Sequence, residues 1–291
     1  MSLIAVFFLW LLHFLPLALL SPLGRGLGSV LYGFGKERRR IVKTNLRLCF
    51  PELDEARRDA LAKAHFQVLG RALIERSLLW WSSPDRLRRL IRIEGEEKIR
   101  CLIDAGTPVI MLTPHFVGID AGGARIAMIF DSLSVYSKQK NKVFDELVLR
   151  GRKRFGDQML LSRQDGMLST IKAMRRGRPF YYLPDMDFGR RNSIFVPFFG
   201  VMAATIPGLA RLARVTDAKI VLVTTRVLPG AEGYCVEIGD AWDAFPGADV
   251  ETDTRRMNAV IEDAIRSMPE QYYWVHRRFK TRPDGEAGVY P

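Results

Sequence analysis

The sequence predicts an α/β fold in which a mostly parallel central sheet is flanked by helices, preceded by an N-terminal membrane-anchor helix. Three observations support this expectation. Short apolar runs alternate with helical segments after Pro84, an uncharged apolar stretch opens the chain, and 48% of the 291 residues are hydrophobic. The first pattern is typical of α/β domains, and the hydrophobic content can supply a sizeable core. We expect an anchor over residues 1–35 and one globular domain over residues 36–291.

The expected anchor is the stretch from Leu3 to Leu20, which carries no formal charge. As a helix, its 18 residues are roughly 27 Å long, compared with about 30 Å for the hydrocarbon core of a bilayer. A cleaved signal peptide is the alternative, but no Lys or Arg precedes the run and no A-x-A site follows it. Positive charges follow from Arg25 to Arg40, so the positive-inside rule places the rest of the chain in the cytoplasm.

Two helices are expected between the anchor and the sheet. The segment from Lys36 to Phe50 reads as a basic amphipathic helix that ends at Pro51. Beside an anchor, such a helix would lie against anionic headgroups, although an ordinary solvated helix face is equally open. The segment from about Asp54 to Trp81 has apolar residues near helical spacing, and we expect it to serve mostly as scaffold.

The strands of the predicted sheet are short apolar runs: "TPVIML", "LSVY", "QMLL", "RPFYYL" and "KIVLVTTRV". Helical stretches follow or separate them: Lys142–Phe155, Asp165–Arg176, Ala204–Val215 and a closing helix from Glu251 to about Met268. In parallel sheets of this kind, ligands bind beyond the carboxyl ends of the strands. His115 falls at such an end, directly after "PVIML".

The composition restricts the partners. A formal net charge of +12 indicates an anionic partner, which could be nucleic acid, a phospholipid surface or an acidic or phosphorylated substrate. Nucleic acid is disfavoured because the aromatic residues sit in apolar runs and no nucleic-acid-binding module is visible. Cys49, Cys101 and Cys235 form no CxxC pattern, which favours a reduced compartment and no structural metal.

His115 and Asp120, in "TPHFVGID", are the candidate catalytic pair. At a strand-to-helix turn, the carboxylate can accept a hydrogen bond from one ring nitrogen and leave the other nitrogen free to take a proton. The alternative is a histidine that only packs in the core or faces solvent.

Other chemistries lack the residues that they need. The chain has four histidines, two of which lie in the expected anchor and scaffold helix, so a three-histidine metal site is disfavoured. No GxSxG, GxGxxG or GxxxxGK[ST] motif is present in the required context. The remaining reaction is base-assisted attack by a bound hydroxyl on an activated acyl group.

Two further segments supply candidate binding residues. "LPDMDFGRRNSIFVPFFGVMAAT", from Leu183 to Thr205, joins Asp185 and Asp187 to Arg190 and Arg191 and then to an apolar aromatic loop. We expect that loop to lack regular structure, and its phenylalanines to form either core or a wall for a lipid chain. "RGRKRFG" contains Arg152 and Arg154, which could bind phosphate or remain solvated.

Several motifs together resemble one family: "TPHFVGID", "GRKRFG", "YYLPDMDFG", "SIFVPFFGVMAAT" and "PEQYYWVHRRFKTRP". They look like the lipid A biosynthesis acyltransferases, the late lauroyl and myristoyl transferases of Gram-negative bacteria, and the likeness extends to Pro283. The resemblance implies a glycerolipid acyltransferase-like fold and a catalytic domain over residues 36–291. It also implies transfer of a fatty acyl chain from acyl carrier protein to a hydroxyl of a lipid A precursor, on the cytoplasmic side of the bacterial inner membrane. No cofactor and no metal are expected.

The resemblance also suggests roles for individual residues. His115 and Asp120 match the family's catalytic motif, with His115 as general base and Asp120 fixing its tautomer. Arg152 and Asp185 match active-site positions, and Arg152 or a backbone N–H would stabilise the oxyanion. Together with these two, the candidate substrate-binding residues are Arg154, Arg190 and Arg191. Two alternatives stay open: another glycerolipid or glycolipid acyltransferase, using acyl-CoA or acyl carrier protein, and a non-enzymatic membrane lipid-binding protein.

Overall fold

The computed structural model of the protein describes residues 3–138, 141–162 and 165–290. The helices in these ranges are α1 (Leu3–Leu12), α2 (Leu17–Phe34), α3 (Lys36–Cys49), α4 (Glu55–Trp81), α5 (Pro84–Leu90), α6 (Glu96–Asp104), α7 (Ile119–Ala127), α8 (Lys142–Arg152), α9 (Gly166–Arg175), α10 (Gly208–Thr216) and α11 (Val250–Ser267). The strands are β1 (Ile91–Glu94), β2 (Val109–Leu112), β3 (Leu133–Tyr136), β4 (Met159–Ser162), β5 (Phe180–Tyr182), β6 (Ile194–Phe198), β7 (Val201–Thr205), β8 (Lys219–Val227) and β9 (Tyr234–Ala241).

The central sheet has seven strands in the order β1-β9-β8-β2-β5-β3-β4. Every neighbouring pair is parallel except β8 and β9, which run antiparallel. The predicted α/β fold with a mostly parallel sheet is therefore confirmed. The five predicted apolar runs correspond to β2, β3, β4, β5 and β8, and the predicted helices of the basic and scaffold segments correspond to α3 and α4.

Both faces of the central strand β2 are buried. Along β2, Ile110 and Leu112 belong to one apolar cluster, and Val109 and Met111 belong to the other. This alternation follows from the two-residue period of a strand. All four side chains are buried, as expected for a parallel strand that is covered by helices on both sides and therefore reads as a continuous apolar run.

The N-terminal apolar stretch is not one helix. Helix α1 ends at Leu12, and α2 begins at Leu17, directly after Pro16. Proline has no N–H to continue the ladder of a preceding helix, and its ring disfavours helical geometry at the residue before it. In the part of the chain that the structure describes, no helix has both the length and the apolar composition needed to cross a membrane. The structure therefore does not support a single membrane-anchor helix over Leu3–Leu20, because the stretch is divided between α1 and α2.

Helix α2 crosses α4 at very short range. A Cβ atom added at Gly28 would lie 2.1 Å from the carbonyl oxygen of Phe66, and one added at Gly70 would lie 2.3 Å from that of Gly24. These are backbone atoms, which cannot move aside as a flexible side chain can. Glycines at these three positions therefore allow the two helix backbones to touch, and they attach α2 firmly to the domain that carries the sheet.

We expect Gly28→Ala to lower the midpoint temperature of unfolding. Overpacking typically costs about 1–3 kcal/mol, which corresponds to a loss of roughly 2–10 °C for a chain of this size. Gly26→Ala is the matched control, because Gly26 lies in the same helix with nothing within 4 Å of its added Cβ. Alanine there should be neutral or slightly stabilising. A Gly28→Ala protein that melts no lower than the Gly26→Ala protein would contradict the close crossing.

Residues 194–205 form a hairpin, contrary to the expectation of a long loop without regular structure. Strands β6 and β7 pair antiparallel, with Phe198 opposite Val201. The two residues between them, Phe199 and Gly200, both have positive φ, 51° and 76°. Tight two-residue hairpin turns of type I′ require positive φ at both central residues. The apolar run is thus a β-ribbon, and its Val196, Phe198 and Phe199 are buried.

Candidate functional site

Two loops that follow adjacent parallel strands bring a histidine and a buried carboxylate together. His115 comes just after β2, and Asp185 comes just after its neighbour β5. The Nδ1 atom of His115 lies 2.7 Å from Oδ1 of Asp185, and the backbone N–H of His115 donates to Oδ2 at 2.9 Å. An ionised carboxylate only accepts hydrogen bonds, so Nδ1 carries a proton and the lone pair of the neutral ring is on Nε2.

The Asp185 carboxylate stays ionised at this position. Burial by itself raises the pKa of the group, but attraction to His115 and hydrogen bonds from its ring and backbone lower it more. The net result is a pKa below the usual value. The side chain is 1% exposed, whereas the His115 side chain is 21% exposed. The carboxylate is thus an internal anchor, and the ring that it holds reaches accessible space.

The C-terminal segment fixes the backbone around this histidine from the other side. The N–H of Tyr273 donates to the carbonyl oxygen of His115 at 2.9 Å, and the N–H of Val117 donates to that of Gln271 at 2.7 Å. Phe116 and Tyr272 pair between these two bonds as an antiparallel bridge. His115 therefore sits on a short backbone ladder, which limits its movement relative to the sheet.

We expected Asp120 to accept the hydrogen bond from Nδ1 of His115, but Asp185 does so instead. Asp120 lies in the first turn of α7, and its carboxylate accepts from Nε of Arg76 at 2.9 Å. A second nitrogen of Arg76 lies 2.6 Å from the same oxygen, and Arg152 approaches the other oxygen at 3.6 Å. Burial raises the pKa of Asp120, but the two arginines outweigh it and lower the pKa overall.

A cavity of about 1230 Å³ opens beside these groups. His115, Asp120 and Arg152 line it, and the rest of its wall includes apolar side chains: Leu79, Trp80, Val148, Leu160, Met167 and Leu212. Ligand pockets usually enclose about 300–1,000 Å³, so this cavity has room for a long ligand. Among the described residues, Nε2 of His115 has no hydrogen-bond partner, so this ring nitrogen, a cation and an apolar wall share one cavity.

Comparison with known proteins identifies the family. Residues 1–281 match the family described as "Bacterial lipid A biosynthesis acyltransferase". The chain belongs to this family. The acyltransferase is 36% identical over 283 residues to a lipid A biosynthesis lauroyltransferase of Escherichia coli K12, an alignment that covers 97% of this chain and 92% of that protein.

Other relatives agree. A lipid A biosynthesis palmitoleoyltransferase of Escherichia coli K12 is 32% identical, over 97% of this chain and 92% of its own. A lipid A biosynthesis myristoyltransferase of the same organism is 33% identical, in an alignment that covers 94% of this chain and 83% of that protein. Among solved structures, the 1-acyl-sn-glycerophosphate acyltransferase PlsC of Thermotoga maritima covers 86% of the chain and 97% of its own, with 14% identity and a TM-score of 0.39.

Three of the arginines that we singled out lie in different surroundings in the acyltransferase. Arg191 lines the cavity. Arg154 donates to the carbonyl oxygens of Leu79, at 2.9 Å, and Ser82, so it closes the end of α4. Arg190 forms an ion pair with Asp284 at 2.8 Å. Neither Arg154 nor Arg190 is among the described residues that line the cavity.

Arg76 is a site residue that the sequence did not indicate. It lies in α4, which we expected to be scaffold, and it is 44 residues before its partner Asp120 in the chain. Nothing in the spacing or composition of α4 distinguishes Arg76 from its other arginines. Arg76 pairs with Asp120 because α4 packs against α7, and this packing is visible only in the folded structure.

A second network joins the loop after β5 to the C-terminal segment of the acyltransferase. The backbone N–H of Asp187 donates to Nε2 of His276 at 2.9 Å. The Asp187 carboxylate accepts from the N–H and the hydroxyl of Thr281, at 2.6 and 2.9 Å, and from the N–H of Gly189 at 2.8 Å. Residues of the "DMDFG" and "HRRFKTRP" segments thus satisfy each other's hydrogen-bonding groups.

Proposed function

We propose that this acyltransferase moves a fatty acyl chain from acyl carrier protein to a hydroxyl of a lipid A precursor and so forms an acyloxyacyl ester. The observation that carries the proposal is the pairing of His115, which lines the 1230 Å³ cavity, with the buried Asp185. A histidine whose Nδ1 proton is held by a buried carboxylate presents Nε2 as a general base. The family membership supports acyl transfer as the reaction that this base assists.

The proposed mechanism is direct transfer without a covalent enzyme intermediate. Nε2 of His115 takes the proton of the acceptor hydroxyl while the hydroxyl oxygen bonds to the carbonyl carbon of the thioester. The former carbonyl oxygen then carries the negative charge of a tetrahedral intermediate. When this intermediate collapses, the carbon–sulfur bond breaks, and the leaving thiolate takes the proton back from His115. The products are an ester and a free carrier thiol.

In this mechanism Arg152 stabilises the developing oxyanion, and Asp120 holds Arg152 in position. Arg152 lines the cavity, its guanidinium lies 5.6 Å from the centre of the Tyr136 ring, and one of its nitrogens lies 3.6 Å from an oxygen of Asp120. A preorganised cation near the site of charge development is a common source of rate acceleration. We therefore assign Asp120 to the arginine, and Asp185 to the histidine.

We further propose that residues 36–291 form the catalytic domain and that residues 1–35 contact lipid at the cytoplasmic face of the bacterial inner membrane. Large apolar side chains of α1, α2 and the turn between them are exposed; Phe8 is 60% and Phe34 is 85% exposed. Exposed apolar patches of this kind mark interaction surfaces. The basic helix α3 follows directly, and its charges suit anionic headgroups.

The experiment that tests this function uses the purified full-length protein with a lipid A precursor and either acyl carrier protein or coenzyme A as the acyl donor. We expect mass spectrometry to show one added acyl chain on the acceptor and an equal release of carrier thiol with the carrier-protein donor. Turnover with acyl-CoA alone would contradict the donor assignment. Binding of lipid with no thiol released from either donor would favour the non-enzymatic alternative.

A further inference from the structure

One corner of the cavity is cationic and is not used by the mechanism above. It is formed by residues 186–192, after β5, and by residues 276–282 near the C-terminus. These two stretches contain six cationic side chains: Arg190, Arg191, Arg277, Arg278, Lys280 and Arg282. Four of these side chains have a partner within the described residues, and two do not.

Four of the six have a structural partner. Arg190 pairs with Asp284 at 2.8 Å, and Arg277 pairs with Glu37 at 3.2 Å. Arg278 is 1% exposed and donates to the carbonyl oxygen of Ala204 and the hydroxyl of Thr205, both at 2.8 Å. Arg282 donates to the carbonyl oxygen of Met202 at 2.6 Å and pairs with Glu286. The folded chain already uses these charges.

Arg191 and Lys280 are the two that remain. Within the described ranges, neither forms an ion pair or a hydrogen bond, and both are exposed. Both also line the cavity, whereas the four partnered arginines do not. The unpaired cations of these two stretches are therefore the ones that face the space where substrate binds.

His276 adds a neutral hydrogen-bond donor to this corner. Its Nε2 accepts from a backbone N–H, which can only donate, so the proton of the neutral ring is on Nδ1. Burial, followed by repulsion from Arg278 and His115, lowers the pKa of His276 to about 4, so the ring is neutral near pH 7. Among the described residues, Nδ1 has no hydrogen-bond acceptor, and it is not one of the buried atoms that lack a partner. The His276 ring lines the cavity.

The acidic group next to this corner is already satisfied. Both oxygens of Asp187 accept hydrogen bonds from Thr281, and one also accepts from Gly189. The carboxylate therefore does not pair with Arg191 or Lys280. Two cations and one N–H donor remain for a ligand that carries several acceptor oxygens and negative charge.

The geometry points to a phosphate-binding subsite formed by Arg191, Lys280 and Nδ1–H of His276, separate from the groups that perform acyl transfer. Charge-assisted hydrogen bonds to several oxygens suit a phosphate group. Two substrates could bring this group: a phosphorylated acceptor lipid, or the donor through the phosphodiester of its prosthetic arm. The inference depends on the proposed function, because it takes the substrates of acyl transfer as the carriers of the phosphate.

Steady-state kinetics of Arg191→Gln and Lys280→Gln test the subsite. We expect either change to raise the KM of one substrate by about tenfold, while kcat stays close to that of the unaltered protein. A higher KM for the acceptor assigns the phosphate to the lipid, and a higher KM for the carrier assigns it to the donor arm. Lys280→Arg retains the charge and should restore most of the affinity.

Arg277→Gln is the matched control, since it removes the same charge from the same stretch but at a side chain that Glu37 binds outside the cavity. Its two KM values should stay at the unaltered level. An acceptor from which the phosphate has been removed provides a second measurement: if the lipid carries the phosphate, that acceptor should bind the unaltered protein and the Lys280→Gln protein equally weakly. If acyl transfer proceeds and both Gln variants keep normal KM values, the subsite is wrong. If the unaltered protein transfers no acyl chain, the proposed function fails instead.

Discussion

Replacing His115 by alanine is expected to reduce kcat for acyl transfer by about 10²–10⁴-fold, because the reaction loses its general base. The KM values for donor and acceptor should change much less, since the cavity walls and the cationic corner remain. The measurement is single-turnover and steady-state transfer from labelled acyl carrier protein, with release of free thiol as the readout. Circular dichroism and thermal unfolding of the same preparation show whether the protein is folded.

His115→Asn is the control that separates chemistry from stability. The alanine protein leaves the buried Asp185 without its ring partner, which is itself destabilising. The side-chain amide of asparagine can still donate to Asp185 but cannot accept the proton of a hydroxyl at neutral pH. We expect the asparagine protein to be more stable than the alanine protein and equally inactive. Near-normal turnover by the folded asparagine protein would exclude His115 as the base.

The position of His115 could be predicted from the sequence because it depends on one element. A short apolar run that ends at Leu112 is recognisable as a buried strand, and the residues that follow such a strand face the ligand-binding edge of a parallel sheet. The hydrophobic period needed for this prediction is local. Asp185 also follows a recognisable strand, but the resemblance to the family, and not this reasoning, indicated it as a site residue.

The pairing of His115 with Asp185 could not be derived in this way, because it requires the order of the strands. β2 and β5 are neighbours in the sheet although two strands lie between them in the chain. The sequence favoured Asp120 because it is close along the chain. Asp120 lies inside α7, however, whereas His115 precedes the helix. The carboxylate of Asp120 accepts a hydrogen bond from Arg76 of α4. Proximity in sequence was the weaker guide in this case.

The hairpin over residues 194–205 was missed for a different reason. Two-residue turns with positive φ usually show Asn-Gly, Asp-Gly or Gly-Gly, and the turn here is Phe199-Gly200. A phenylalanine in the left-handed region is uncommon and carries no turn signal. Packing favours it: the Phe199 ring lies 5.1 Å from those of Phe50 and Phe198. A tertiary contact thus overrides the local preference.

Asp185→Asn is expected to lower kcat by about 10³–10⁴-fold although the side chain keeps its size, because the substitution changes the tautomer of His115. Asp185 accepts two hydrogen bonds from His115, one from the backbone N–H and one from Nδ1–H. An asparagine side chain offers one acceptor oxygen and one NH₂ group. The backbone N–H cannot change its role, so the amide oxygen must face it and the NH₂ group must face the ring.

Nδ1 then has to accept a hydrogen bond, the ring proton moves to Nε2, and Nε2 loses the lone pair that the acceptor hydroxyl needs. Nitrogen-15 NMR of His115 should show the ring proton on Nδ1 in the unaltered protein and on Nε2 in the Asp185→Asn protein. Asp120→Asn supplies the comparison: it should weaken oxyanion stabilisation through Arg152 but leave the His115 tautomer unchanged. If Asp120→Asn shifts the ring proton and Asp185→Asn does not, the roles of the two carboxylates are reversed.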